Sequence, residues 1–124
     1  MLIQLKTKYI DQPAIIYAAK YINGNTALMA VSPEGEDLLK LTANLDTQNL
    51  PREKVIIKSY SENEGVFQCL IEQGVIATCG YMVNSGYVQL PVCTLTARAI
   101  RLLFPEGDIE EEEEEVRKEN RPRG

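Results

Sequence analysis

The chain has 124 residues, no histidine and a formal net charge of −5, and its hydrophobic fraction is an ordinary 44%. This length fits one domain that buries a core without disulfide or metal support. No stretch reaches the roughly 18 apolar residues of a membrane span, and no apolar run of signal-peptide length opens the chain. We therefore expect a cytoplasmic protein without membrane contact.

The acidic balance lies at the C-terminus. Residues 1–105 hold nine basic and nine acidic side chains, whereas residues 106–124 hold nine acids and four bases. The six consecutive glutamates at 110–115 repel one another and have nothing to bury. These patterns predict one domain over 1–105 and a disordered acidic tail over 106–124. The tail is either a solvating segment, a lure for a basic protein surface or a nucleic-acid mimic.

Catalysis and metal binding are poorly supported. Without histidine, no side chain has an unperturbed pKa near neutrality, and a cysteine nucleophile lacks its usual base. Cys69, Cys79 and Cys93 leave a structural zinc site one ligand short, and their odd number argues against an oxidising compartment. We expect three buried, reduced thiols, no cofactor and no enzymatic activity.

The first 43 residues are predicted to form an antiparallel meander. Residues 2–9 alternate between apolar and polar, and Asp11-Gln12-Pro13 is expected to end this strand because proline cannot donate to a ladder. Residues 14–22 and 26–32 are strands around the Asn23-Gly24-Asn25 hairpin turn. After a second turn, residues 37–43 form either a strand, which we favour, or a helical turn.

A polar loop over 44–53 precedes a short strand over 54–59. Its run of three β-branched residues, Val55, Ile56 and Ile57, suggests burial on both faces and hence a central place in the sheet.

The main helix is predicted over residues 62–73. Ser61 and Glu64 have the spacing of a capping box, with Asn63 as a competing N-cap. Gly74 is suited to a left-handed C-cap. Gly65 either lets the helix approach a strand closely or leaves an open surface for a ligand. The apolar residues that share one face, and that we expect to be buried, are Val66, Phe67, Leu70 and Ile71.

Two further strands and a short helix follow. Residues 75–83 and 87–95 are predicted strands joined by the three-residue loop Asn84-Ser85-Gly86. Gly80 suggests a bulge, and Pro91 is expected to place the second strand at a sheet edge or at a bulge. Thr96 is suited to cap a helix over 97–104. The whole pattern predicts an α+β fold: an antiparallel sheet of five to seven strands, one main helix packed on a face, and a short C-terminal helix.

A winged-helix DNA-binding domain is the least favoured alternative. The order of helix and hairpin over 62–88 matches its second half. However, phosphate attraction dominates nucleic-acid affinity, and residues 59–97 contain three glutamates and no lysine or arginine. Direct nucleic-acid binding is therefore not expected.

Residues 60–96 resemble a family of small uncharacterised proteins carried on bacterial conjugative elements, plasmids and phages. The similar features are Asn63-Glu64-Gly65, Leu70, Gly74, Ser85-Gly86-Tyr87-Val88 and Leu90-Pro91-Val92-Cys93. They span about a third of the chain. The family has no established activity to transfer, so the resemblance implies a mobile-element accessory protein. Small acidic proteins of that kind often inhibit host defence proteins such as CRISPR nucleases and restriction enzymes.

The function expected from these observations is non-enzymatic binding to another protein. Six tyrosines outnumber two phenylalanines, and tyrosine is enriched on binding surfaces. The alternative is a small-molecule or nucleotide binder that uses Gly65 and residues 81–87. A homodimer formed by a sheet edge or by the tyrosine-bearing face is also expected. The candidate binding residues are Asn63, Glu64, Gly65, Tyr81, Asn84 and Tyr87.

Overall fold

A computed structural model of the protein describes residues 1–46 and 49–105. Within them the chain is mostly strands in antiparallel sheets, together with two short helices, so the α+β class is confirmed. The predicted acidic tail lies outside the described residues. The elements are β1 (Leu2–Lys6), β2 (Asp11–Lys20), β3 (Thr26–Val31), β4 (Asp37–Lys40), β5 (Lys54–Ile56), α1 (Val66–Glu72), β6 (Ile76–Ser85), β7 (Val88–Leu95) and α2 (Ala97–Leu103).

The single sheet of five to seven strands that the sequence predicted is wrong, because the strands form two sheets joined at one point. The first has the order β1-β2-β3-β4, and the second has the order β5-β7-β6. Beyond β4 the chain continues beside β5, where Thr42 and Ile57 form an isolated bridge. The Lys58 N–H donates to the Leu41 carbonyl across this bridge, at 2.9 Å. β5 thus lies between β7 and the continuation of β4, which agrees with its predicted central place.

Two apolar clusters hold the fold together. The larger lies between the inner faces of both sheets and the two helices, and its fully buried members include Leu5, Ile16, Leu28, Leu41 and Leu70. The smaller lies on the other face of the second sheet, beneath the loop that follows β4. Its buried members are Ile56, Val83, Leu90 and Val92.

The first hairpin turns earlier than predicted. Pro13 was expected to break the chain, but it lies within β2, opposite Gln4 and exposed. The turn is made instead at residues 7–10, where the Thr7 N–H donates to the Ile10 carbonyl and the Thr7 hydroxyl accepts from the Tyr9 and Ile10 N–H groups. A threonine that binds the backbone locally competes with the sheet ladder, so the strand ends before it.

The predicted capping box does not form. Residues Ser61–Asn63 make a separate 3₁₀ turn, and α1 starts only after Gly65, which has φ of 97°. Ser61 makes no capping hydrogen bond to α1; the Ser59 hydroxyl accepts from the Phe67 N–H instead, at 3.0 Å. The C-terminus follows prediction, since the Gly74 and Val75 N–H groups donate to the Ile71 and Leu70 carbonyls in a Schellman arrangement.

α1 lies along the edge of β1, whereas the sequence predicted a helix packed on a sheet face. Val66 and Leu70 are buried as predicted, but Phe67 and Ile71 are only half-buried. Cys69 was predicted to be buried but was not assigned to the helix face, and it takes their place. Its thiol accepts from the Lys6 N–H and donates to the Gln4 carbonyl, both at 3.4 Å. Because α1 contacts the edge of β1, its buried face includes Cys69, a residue that can hydrogen-bond the free backbone groups of that edge.

The second hairpin also differs from its prediction. Its turn has two residues, Gly86 and Tyr87, because Ser85 still pairs with Val88. The bulge predicted at Gly80 is confirmed by the register shift between Cys79 and Tyr81. The edge position predicted for the Pro91 strand is wrong: β7 is central, and β6 is the edge. Pro91 is accommodated because β5 pairs with β7 only over residues 92–94.

α2 follows its prediction closely. The Thr96 hydroxyl accepts from the Ala99 N–H at 3.0 Å, which is the expected N-cap. Before α1, residues 1–46 and 49–65 form five strands and one 3₁₀ turn. The two helices that a winged-helix domain needs before its recognition helix are therefore replaced by strands.

Candidate functional site

The candidate binding residues separate into two groups. Asn63, Glu64 and Gly65 lie in the connection that joins the 3₁₀ turn to α1, whereas Tyr81, Asn84 and Tyr87 lie on the β6–β7 hairpin. The contacts of the first group are made with β1, β4 and the end of β5, so the structure does not bring the two groups together in one cluster.

The residues of the first group make contacts within the fold. The Asn63 side chain is 1% exposed, and its amide N–H₂ donates to the carbonyls of Lys40 at 2.7 Å and Lys58 at 3.2 Å. The Glu64 carbonyl accepts from the Lys8 N–H at 2.9 Å. A Cβ on Gly65 would lie 3.2 Å from the Thr7 Cα. Gly65 was predicted either to allow a close approach to a strand or to leave an open surface. The structure shows a close approach, but to the backbone of the turn that follows β1.

Charged groups beside this connection are locally paired. The Lys8 ammonium lies 3.5 Å from the Glu64 carboxylate, and the Lys58 ammonium lies 2.9 Å from that of Glu62. The hydrogen bond from Lys58, followed by those from the Glu62 N–H and Ser61, lowers the pKa of Glu62 to about 2. Because this carboxylate is exposed to solvent, salt screens its interaction with Lys58.

The second group is exposed. Tyr81 and Met82 retain 48% and 50% of their accessible surface, Asn84 is exposed, and Tyr87 is fully exposed at the turn. Tyr81 is paired with Val92, so it lies on the face of the smaller apolar cluster and extends that face into solvent. Met82 and Asn84 point to the opposite face. Met82 was missed by the sequence analysis, and the run Tyr81-Met82 in a strand without charges was the available signal.

The outer strands β1 and β6 differ in whether their outward backbone groups are hydrogen-bonded. The outward N–H groups of β1 donate to α1 and the residue after it: that of Gln4 to the Gln73 side chain and that of Lys6 to the Cys69 thiol. Just beyond β1, the Lys8 N–H donates to the Glu64 carbonyl in the connection before α1. Among the described residues, β6 pairs with β7 alone. A ten-residue edge strand is thus left with a row of outward backbone groups, which is a template for another strand.

The composition of this edge is also unusual. Edge strands are normally protected by lysine, proline or bulges. β6 has two register shifts, but residues 76–95 contain no charged side chain at all. The open edge therefore combines backbone hydrogen-bonding groups with uncharged, partly aromatic side chains.

Two of the three cysteines face each other across this hairpin. Cys79 on β6 is the register partner of Cys93 on β7. Cys93 and Cys69 are buried as predicted, but Cys79, which lies on the edge strand β6, is exposed. Burial, followed by the hydrogen bond with the Cys79 thiol, raises the pKa of the Cys93 thiol far above its usual range. Cys93 is therefore held as a neutral thiol.

In the part of the chain that the structure describes, no group of three or more His, Cys, Asp or Glu side chains is placed to hold a metal ion. None of the helices found there is long and apolar enough to cross a membrane. Comparison of the chain with protein-family models, curated protein sequences and solved structures finds no match.

Proposed function

We propose that this protein is a non-enzymatic binding protein that captures an extended segment of another protein along the free edge of β6. The observation that carries the proposal is the contrast between the two outer strands. The edge of β1 is covered by its hydrogen bonds to α1 and the connection before it. β6, a strand of ten uncharged residues that includes the exposed Tyr81 and Met82, has one edge that no other described strand pairs with.

The chemistry of such an edge selects the partner. In strand addition, main-chain hydrogen bonds supply affinity and alternate side chains supply specificity. Tyr81 on one face and Met82 on the other offer apolar contacts, and aromatic residues and methionine are enriched at protein interfaces. Because residues 76–95 carry no charge, the preferred segment is an uncharged, apolar strand.

A displayed library of random peptides tests this proposal without knowledge of the natural partner. The wild-type protein should enrich extended, apolar peptides, and their binding should move the backbone amide resonances of residues 76–85. The double variant Tyr81→Lys/Met82→Lys should lose the enriched peptides by at least tenfold in affinity, because lysine on an edge opposes strand addition.

The matched control is Tyr9→Lys/Ile22→Lys, which adds the same two charges at exposed residues in the turns of the first sheet. It should bind like the wild type. The proposal fails if the wild-type protein enriches no peptide, or if the edge variant and the control bind the selected peptides equally.

The resemblance of residues 60–96 extends the proposal to the biological role. We propose that the protein is an accessory protein of a mobile genetic element, and that the segment it captures belongs to a host defence protein. Bacteria that carry a restriction or CRISPR system should then plate phage more efficiently when they express the protein. The Tyr81→Lys/Met82→Lys variant should not have this effect, and a host without the defence system should show no difference.

A further inference from the structure

The outer face of the first sheet, which points away from the main core, carries apolar residues where polar residues are expected. Its register places Leu2, Ile15 and Val31 side by side in one row, with Asp37 at the β4 end. The next row places Tyr17 beside Met29, with Lys40 at the β4 end. The inner residues between these positions, such as Ile16 and Ala30, belong to the main core.

These two rows form a continuous exposed patch. Leu2, Ile15 and Tyr17 keep 66%, 36% and 42% of their accessible surface. The solvent face of an antiparallel sheet normally alternates to polar residues, and contiguous apolar patches mark interaction sites. The patch belongs to the first sheet, so it is separate from the free edge of β6.

We propose that this face binds a second copy of the same chain, through a two-fold axis that lies parallel to the sheet, crosses the strands at right angles and passes between the two rows. Under that symmetry the row of Ile15 in one copy faces the row of Tyr17 in the other. Ile15 then packs on Tyr17, and Val31 packs on Met29, each twice. A two-fold interface requires this kind of self-complementary surface.

The charges at the β4 end select a second copy over an unrelated partner. The same axis that opposes the apolar pairs places Asp37 of one copy opposite Lys40 of the other, again twice. Both residues are exposed, and neither forms an ion pair with another described residue. The Lys40 ammonium lies 5.7 Å from the Tyr21 ring centroid, which keeps it at this face.

The geometry of packed sheets is compatible with these pairs. Aligned sheets cross at about 30°, so residues near the centre of the interface remain opposed. The β4 residues are displaced by a few ångströms at a distance of one to two strand spacings, or about 5–10 Å, from the centre. A lysine side chain is long enough to span that displacement.

Charge reversal tests the arrangement by sedimentation at low ionic strength. The wild-type chain should be a dimer at high micromolar concentration. Asp37→Lys alone brings two lysines together at each site, and Lys40→Asp alone brings two aspartates together, so each variant should dimerise at least tenfold more weakly. An equimolar mixture of the two variants should form a heterodimer with near wild-type affinity, because each site again pairs an acid with a base.

Recovery in the mixture separates an interface effect from misfolding. Tyr87→Glu, which adds charge to the exposed hairpin turn, should leave the dimer intact, whereas Tyr17→Glu should disrupt it. A wild-type monomer at high micromolar concentration would overturn the proposal. So would a dimer that both single reversals leave unchanged, or a mixture that fails to recover.

Discussion

The Asn63 side chain is buried where β4 and β5 end. It was a candidate binding residue and a candidate N-cap, yet its amide bridges two backbone carbonyls in the interior. Its side-chain oxygen is buried and accepts no hydrogen bond from the described residues. The donor half of the amide is therefore the part that the fold uses, and the side chain joins the end of β4 to the end of β5.

Replacing Asn63 by aspartate tests that role. The isosteric change puts an acceptor opposite the Lys40 and Lys58 carbonyls, so the unfolding free energy should fall by at least about 2 kcal/mol at pH 7. The buried carboxyl should have a raised pKa in the folded state. The folded state of the variant then binds this proton more tightly than the unfolded state does. The loss of unfolding free energy should therefore grow as pH rises above about 4, where the unfolded carboxyl ionises.

Denaturant titrations at pH 4 and pH 7 measure both effects. The matched control is Asn84→Asp, the same change at an exposed asparagine of the hairpin, which should alter stability by less than about 0.5 kcal/mol. Equal, small losses in the two variants would show that the Asn63 amide is dispensable to the fold.

The cysteines give a second prediction at the residue scale. A maleimide reagent at pH 8 should label only Cys79 in the folded protein, because Cys69 and Cys93 are buried. Raising the pH to 9 should not add a label at Cys93, since its raised pKa keeps the side chain a neutral thiol, which reacts poorly. Mass spectrometry should find one label in the native protein, three in denaturant, and none in native Cys79→Ser. Labelling of Cys93 at the rate of Cys79 would contradict the described burial.

At the scale of elements, the close approach of Gly65 to the turn after β1 positions the start of α1. Gly65→Ala meets two costs, the left-handed φ of 97° and a Cβ only 3.2 Å from the Thr7 Cα. Gly35→Ala, in the turn before β4, has nearly the same φ of 94° but nothing within 4 Å. The difference between the two variants therefore isolates the close approach.

We expect Gly35→Ala to lower the unfolding free energy by about 1 kcal/mol. Gly65→Ala should cost about 1–3 kcal/mol more, because the backbone must shift to admit the methyl group. It should also speed hydrogen exchange at the Lys8 N–H, which donates to Glu64. Equal losses and unchanged exchange in the two variants would mean that α1 is positioned by its apolar side alone.

At the scale of the molecule, the net charge of the chain and the apolar surface described above lie in different parts of the sequence. Residues 1–105 are neutral overall and carry both the free edge of β6 and the outer face of the first sheet. The entire excess of acid lies in residues 106–124. A neutral domain with exposed apolar surface is prone to associate, and added acidic residues oppose this.

Truncation after Pro105 should therefore leave the unfolding midpoint within about 1 °C, because Ile109 and Val116 are the only large aliphatic residues in the sequence 106–124. The same truncation should lower solubility at neutral pH and low salt. Thermal denaturation and precipitation assays on both chain lengths measure the two effects. If the truncated chain also binds its partner at an unchanged rate in low salt, the acidic segment acts on solubility alone; a steep loss would favour the lure.

Sequence alone determined the features that depend on neighbouring residues. Alternation predicted the buried Ile3 and Leu5, Asn23-Gly24 gave the β2–β3 turn, and Gly74 and Thr96 marked helix ends. The exposure of Tyr87 could also be predicted this way, since it lies in the hairpin turn next to Gly86. Such features follow from local backbone preferences, which the chain carries wherever it folds.

Tertiary structure decided the features that join distant residues. Cys69 is buried in place of Phe67 because it bonds Lys6, 63 positions away. α1 starts after Gly65, where a side chain would meet the backbone of Thr7, with the added Cβ 3.2 Å from the Thr7 Cα. β6 rather than β7 is the free edge because β5 returns beside β7, so even the proline in β7 could not reveal it. Strand order depends on which distant segments share a core, and no local pattern encodes that choice.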